Sequence, residues 1–222
     1  MDAHILKVKA IAHITHDVLS IETEKPLNYS FNSGQATELS INKPEWKEEK
    51  RPFTFTSIPE ENRLEFTIKS YPAHKGVTNE LLQLKVGDEL IIGDSWGNIE
   101  YQGEGVFIAG GAGITPFISI LRNLHSQHKI GKNKLLFANS KKEDIILKEE
   151  LETILGNNFI NILSNEKTDK YDYGYITEAY IKSKITDFTS FFYLCGPPPM
   201  VEAVEKILMA LHVNSACIIK EE

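Results

Sequence analysis

Val106-Phe107-Ile108-Ala109-Gly110-Gly111-Ala112-Gly113-Ile114-Thr115-Pro116 decides the fold. The run Val106–Ala109 predicts a short apolar strand, and Ile114–His125 then spaces its apolar residues at helical intervals. Between them the glycines let the chain turn tightly. Thr115 can serve as an N-cap, and Pro116 suits a first helical turn. The alternation continues downstream. Lys134–Ala138 predicts a strand and Glu143–Leu155 a helix, with Ser140 and Glu143 as its capping box. Phe159–Leu163 predicts a strand, Thr177–Lys182 a short helix, Ser190–Leu194 a strand, Pro198–Leu211 a helix and Ala216–Ile219 a closing strand. Strands alternating with helices make an α/β, doubly wound parallel sheet.

Upstream the rhythm is different. His4–Thr15, Asp17–Glu24, Gln35–Asn42, Phe53–Ser57, Arg63–Ser70 and Glu89–Gly93 predict short strands, with one helical insert at Thr78–Leu84. This spacing predicts an N-terminal antiparallel β-barrel. Glu45-Trp46-Lys47-Glu48-Glu49-Lys50 reads as a solvated loop. The boundary follows the turn Gly93–Gly97, giving a barrel domain over residues 1–101 and an α/β domain over 102–222.

Composition excludes several classes. The 222 residues carry 24 basic and 31 acidic side chains, a net charge of −7, so nucleic acid is not the expected partner. No apolar run approaches the roughly 20 residues of a membrane span, and the N-terminus has no basic segment followed by an apolar one. A cytoplasmic monomer without membrane insertion is expected. The two cysteines, Cys195 and Cys217, cannot supply the four thiolates of an iron–sulfur cluster or a Cys₄ zinc site. No metal site is expected, and the seven histidines are scattered.

Four segments carry chemistry. The glycine loop 110–116 joins a strand to a helix, where backbone N–H groups can receive a phosphate; alternatively its glycines serve only tight packing. Cys195-Gly196-Pro197-Pro198-Pro199-Met200 forms a second strand-to-helix junction, stiffened by three prolines. Both junctions lie at carboxyl ends of strands, where doubly wound sheets bind ligands. In the first half, Arg51-Pro52-Phe53-Thr54-Phe55-Thr56-Ser57 opens a strand whose alternation sets Phe53, Phe55 and Ser57 on one face and Thr54 and Thr56 on the other. Lys75-Gly76-Val77-Thr78-Asn79 starts a helix after a strand and is either a second anion site or a helix capped by Thr78 or Asn79.

In this order and spacing the four segments resemble the ferredoxin–NADP reductase superfamily, particularly its compact flavodoxin- and ferredoxin-reductase-like members. The likeness covers about residues 4–219. Residues 51–57 match that family's Arg-x-Tyr-[Ser/Thr]-x-x-[Ser/Thr] flavin motif. Gly111-Ala112-Gly113-Ile114-Thr115-Pro116 matches its pyridine-nucleotide loop, and Cys195–Met200 its Cys-Gly-Pro-Pro-x-Met nicotinamide loop. The resemblance implies FAD and NADPH or NADH as cofactors. It implies that Arg51, followed by Pro52, pairs with the flavin diphosphate, that Phe53 lies against the isoalloxazine, and that Thr54 hydrogen-bonds near flavin N5. Lys69, Ser70, Gly76, Val77 and Thr78 would complete the flavin site. Gly111, Ala112, Gly113, Thr115 and Pro116 would hold the nicotinamide nucleotide. Cys195, with Gly196, Pro197 and Met200, would align its C4, making Thr54 and Cys195 the catalytic candidates. Ser140 and Lys141, at the end of the second α/β strand, lean towards the extra phosphate of NADP; the same Ser140 would otherwise cap a helix.

Three departures stand out. Phe53 replaces the family's tyrosine, Lys75 stands where many members have glycine, and the chain ends Lys220-Glu221-Glu222 without a terminal aromatic. Glu221 and Glu222 either approach the flavin or form a solvated tail. The implied activity is hydride transfer from NAD(P)H to FAD, then electron delivery to a separate carrier such as flavodoxin or ferredoxin. Other readings are a reductase component of an oxygenase, a free-flavin reductase, a non-catalytic flavoprotein subunit, or a nucleotide-binding module that has lost flavin.

Overall fold

The computed structural model describes residues 3–71 and 75–221. The chain folds into two compact units, one formed by residues 1–97 with 115–123, the other by 98–114 with 124–222. The chain crosses from the first unit to the second, returns for nine residues of a helix, and leaves again.

In the first unit six strands, β1 (His4–Thr15), β2 (Val18–Glu24), β3 (Ala36–Ile41), β4 (Arg51–Thr54), β5 (Arg63–Lys69) and β6 (Glu89–Trp96), form an antiparallel sheet in the order β4-β3-β6-β1-β2-β5. The two edges meet. Phe55 bridges Phe66, and the Thr56 N–H donates to the Glu65 carbonyl at 2.8 Å, closing the sheet into a barrel. The run 51–57 therefore serves two neighbours: it pairs with β3 through Thr54, then swings to β5, so β4 ends earlier than alternation predicts. Inside, Phe55 is fully buried, stacked on Phe31 with ring centroids 4.3 Å apart and packed against Tyr29 and Phe66. Trp46, within the charged loop, is partly buried against the same core. The helical insert is α1 (Val77–Glu80), continued by a 3₁₀ turn at Leu81–Gln83.

The second unit carries β7 (Gly105–Gly110), β8 (Lys134–Asn139), β9 (Phe159–Leu163), β10 (Asp172–Tyr173), β11 (Phe191–Cys195) and β12 (Ile218–Lys220). All pairings are parallel, in the order β10-β9-β8-β7-β11-β12. The order reverses between β7 and β11, so the switch point lies where the Gly110 and Cys195 junctions begin. The helices are α2 (Thr115–Ser126), whose first part belongs to the first unit, then α3 (Lys148–Leu155), α4 (Glu178–Lys184) and α5 (Pro198–Ala210). Fully buried Tyr193 fastens the entry to this unit: its hydroxyl accepts from the Gln102 and Gly103 N–H groups and donates to the Gly103 carbonyl.

Three expectations change. The helix predicted over Glu143–Leu155 breaks into a 3₁₀ turn at Lys142–Asp144 and α3, with Leu147 left-handed at φ +49°. The consecutive, β-branched Ile145 and Ile146 fall in the break and are both buried. Ser140 does not cap that turn. Its hydroxyl accepts from Asn165 Nδ2 at 2.8 Å, and the Asp144 carboxylate receives the Lys141 N–H instead. The closing strand starts two residues late, because Ser215–Cys217 winds into a 3₁₀ turn capped by Asn214.

Candidate functional site

In the first unit, Arg51 is exposed and donates to Glu49 at 3.2 Å and to the Lys50 carbonyl at 2.6 Å. An exposed pair of this kind costs little to exchange for another anion. Pro52 is exposed opposite Glu38, and Phe53 is partly buried against the barrel core. The half-buried Thr54 makes no side-chain hydrogen bond among the described residues, so its hydroxyl keeps its capacity for a ligand. Beyond it, Thr56 and Ser57 are fully buried.

Lys69 pairs with Asp17 at 2.9 Å, and buried Ser70 donates its hydroxyl to the Asp17 carbonyl at 3.0 Å. Burial raises the Asp17 pKa, but hydrogen bonds from Lys69 and Thr15 outweigh it and hold the carboxyl below its ordinary value. The structure thus occupies Lys69 and Ser70 in tying β5 to the β1–β2 turn. Gly76 stands at the N-cap of α1 with no side-chain cap, and neither Thr78 nor Asn79 takes that role. A Cβ at Gly76 would meet nothing within 4 Å, while Val77 is buried and anchors the turn.

In the second unit the two switch-point junctions are packed into each other. A Cβ on Gly113 would lie 2.5 Å from the Cys195 carbonyl carbon and from Gly196 Cα. One on Gly110 would lie 2.7 Å from Met200 Sδ and 2.9 Å from Pro197 Cδ. Gly110, Gly113, Pro197 and Met200 therefore serve loop-to-loop packing. Gly111 differs: it is left-handed at φ +52°, and a Cβ there would meet nothing within 4 Å. Gly111–Ile114 themselves wind into a 3₁₀ turn, and Thr115 and buried Pro116 follow as the first residues of α2.

Burial pushes the Cys195 thiol up to about 12; the nearby Glu221 carboxylate adds to the rise and the Gly196 N–H opposes it. Cys195 is a neutral thiol at any physiological pH. Exposed Glu221 has its own carboxyl raised by the protein packed around it, whereas Glu222 lies outside the described residues. Cys217 packs partly buried against the second core.

At the end of β8, Lys141 pairs with Glu143 at 3.6 Å and Lys142 with Glu166 at 3.5 Å, both exposed. Sequence reasoning missed Asn139, the last residue of β8. Its Nδ2 is buried without a hydrogen-bond partner among the described residues, a donor held in reserve. Its only sequence signal is that it ends a strand at the ligand-binding edge of the sheet.

These features fit dinucleotide cofactors: an open glycine backbone, an unpartnered amide donor at a strand end, an uncapped turn and a free threonine hydroxyl beside an exchangeable arginine. They define a two-unit flavin- and nicotinamide-binding protein. Residues 3–102 match the FAD-binding domain family and residues 107–206 the oxidoreductase NAD-binding domain family. The chain thus joins an FAD-binding domain to an oxidoreductase NAD-binding domain, and its cofactors by these matches are FAD and a nicotinamide nucleotide.

The reductase component of propane 2-monooxygenase from Mycolicibacterium smegmatis is 27% identical over 235 residues, covering 97% of this chain and 65% of that protein. NADH-cytochrome b5 reductase 1 of Laccaria bicolor is 32% identical over 174 residues, covering 70% and 56%. The chain thus spans roughly three-fifths of these curated relatives. The FAD/NAD-binding domain of nitric oxide dioxygenase from Vibrio cholerae shares the fold, with a TM-score of 0.87 at 22% identity over 100% of this chain and 98% of that one. Among the described residues no helix is long and apolar enough to cross a membrane.

Proposed function

We propose that the chain is an NADH-dependent flavoprotein reductase that delivers electrons to an acceptor protein outside these 222 residues. The observation that carries this reading is the interlocked pair of junctions at the β7/β11 switch point, where Gly111 alone is left open to a ligand. FAD, when bound, would supply two-electron acceptance from reduced nicotinamide and one-electron release. The chain's own residues bind and orient. Arg51 exchanges Glu49 for the flavin diphosphate. Phe53 would pack on the flavin ring and Thr54 would offer its hydroxyl to the flavin. Gly76, Val77 and Thr78 receive the flavin phosphate, with Lys69 and Ser70 bracing the strand before them. Gly111, Ala112, Gly113 and Thr115 line the nucleotide.

Cys195 holds its proton on Sγ, so it fills space beside the nicotinamide without adding to the ring as a thiolate would. Carboxylates beside Lys141 and Lys142 offset the positive charge that a 2′-phosphate would need, which favours NADH over NADPH; Asn139 is a donor for the bare ribose. Delivery to an oxygenase or to a cytochrome, rather than to flavodoxin or ferredoxin, is favoured by the likeness to a monooxygenase reductase component and to a cytochrome b5 reductase.

The test is anaerobic. Purified protein should be yellow and its flavin absorbance should bleach with NADH faster than with NADPH; absence of bleaching by either overturns the reading. Turnover with cytochrome, ferredoxin, flavodoxin and free flavin then separates the acceptors.

A further inference from the structure

The chain has three arginines, and two of them converge on one buried carboxylate. Glu65 on β5 is 4% exposed. Its Oε1 accepts from the Thr56 hydroxyl at 2.8 Å and from Arg122 at 2.7 Å, and its Oε2 from Arg63 at 3.2 Å. The same Arg122 nitrogen donates to the Thr56 carbonyl at 2.8 Å, so both of its N–H groups are used. One turn earlier on α2, buried Ser119 donates to the Ser57 carbonyl at 2.7 Å. The Ser57 hydroxyl in turn accepts the Glu65 N–H at 3.1 Å, and Thr67 donates to Thr56 at 3.1 Å. All of these groups lie in the first unit.

Stability alone does not explain the arrangement. Taking a guanidinium and a carboxylate out of water is costly, and well-packed apolar residues of similar size commonly stabilise as well or better. What apolar packing lacks is direction. The network fixes two backbone carbonyls, Thr56 and Ser57, against two side chains on one face of α2, and so sets the helix's translation and rotation. Thr54 lies two residues before Thr56, and Thr115 one turn before Ser119.

We propose that Arg122 and Glu65 are positioning residues for hydride transfer: they hold Thr115 in fixed register with Thr54. This rests on the reductase reading above. Neither residue touches a reacting atom. Their effect passes through the strand that follows the flavin motif and the helix that follows the nucleotide loop.

The test uses the full chain loaded with FAD, mixed anaerobically with NADH, in Arg122→Lys, Glu65→Gln and Ser119→Ala. The flavin-reduction rate at saturating NADH should fall about tenfold or more in the first two, since misplacement of the order of 1 Å costs up to about a hundredfold. The apparent NADH dissociation constant should move less than about threefold, and Ser119→Ala should show a smaller fall in the same direction. Amide exchange in the FAD-free chain gives a second readout: Phe55–Ser57 and 119–123 should exchange faster in the variants, with β7–β9 unchanged.

A purely structural pair would lower melting temperature and leave the saturated rate of the FAD-bound fraction intact; a rate within about twofold of the parent in Arg122→Lys and Glu65→Gln overturns the proposal. Should those two fail to hold FAD, an unchanged rate and unchanged exchange in Ser119→Ala do the same. If the parent itself is not reduced by NADH, the reductase reading fails, and the exchange measurement still decides whether the pair fixes the segment.

Discussion

The two units hold their ligand-binding segments by opposite means. In the barrel, residues 51–57 are gripped by side chains: Phe55 reaches into an aromatic core, and Thr56 and Ser57 bond to Glu65, Arg122 and Ser119. In the parallel sheet the corresponding loops are gripped by the absence of side chains, with Gly113 seated against the Cys195–Gly196 backbone. The antiparallel unit can thus lose a part of its grip by truncation. The parallel unit loses its grip by addition.

The largest expected effect follows directly. Phe55→Ala empties the centre of the barrel and should cost about 3–5 kcal/mol, read by chemical denaturation. Its counterpart is Gly113→Ala, where the new methyl meets backbone that has no rotamer to yield; about 1–3 kcal/mol is expected. Gly111→Ala is the matched control: it meets nothing, pays only the left-handed backbone cost of about 1 kcal/mol, and should weaken nucleotide binding more than it weakens the fold. If Gly113→Ala and Gly111→Ala prove equally stable, the distinction between packing and ligand-facing glycines is lost.

Arg51→Ala sharpens the comparison on the binding side. Its exposed pair with Glu49 contributes almost nothing to stability, so melting should hardly move while FAD affinity drops about 10- to 100-fold by titration of the apoprotein. The smallest effect is that of Lys69→Met. Asp17 has a depressed folded-state pKa, so the pair's contribution is present above the unfolded value of 3.8 and is lost as pH falls through the lower folded value. The two partly exposed partners should yield less than about 1 kcal/mol near neutral pH, and the gap between variant and parent should shrink in acid.

Much of this was legible in the sequence because local pattern and tertiary role agree. The alternation in β5 sends Leu64, Phe66 and Ile68 inward, and the strand–glycine–helix junctions announce the parallel sheet. Sequence reading stops where a distant segment changes the meaning of a local pattern. By alternation Glu65 belongs to a solvent face; it is buried because α2, more than fifty residues away in the chain, lies over it. The end of β4 was hidden because residues 51–57 change partners midway. The two-residue β10 has too few positions to show any period. At the site, residue types were readable but their state was not: which glycine stays open, that Cys195 is neutral, and that the Asn139 amide is unspent all depend on neighbours from other elements.

Because residues 115–123 cluster with the barrel although they follow the glycine loop, a single cut between the units parts the barrel from some of its own contacts. A gene cut after residue 102 would yield a barrel missing the cover of its own polar floor. A hybrid joining this barrel to another protein's nucleotide domain would import that protein's helix together with it. Exchange of modules in such a chain therefore selects for partners whose helix already offers an arginine to a glutamate it has never met.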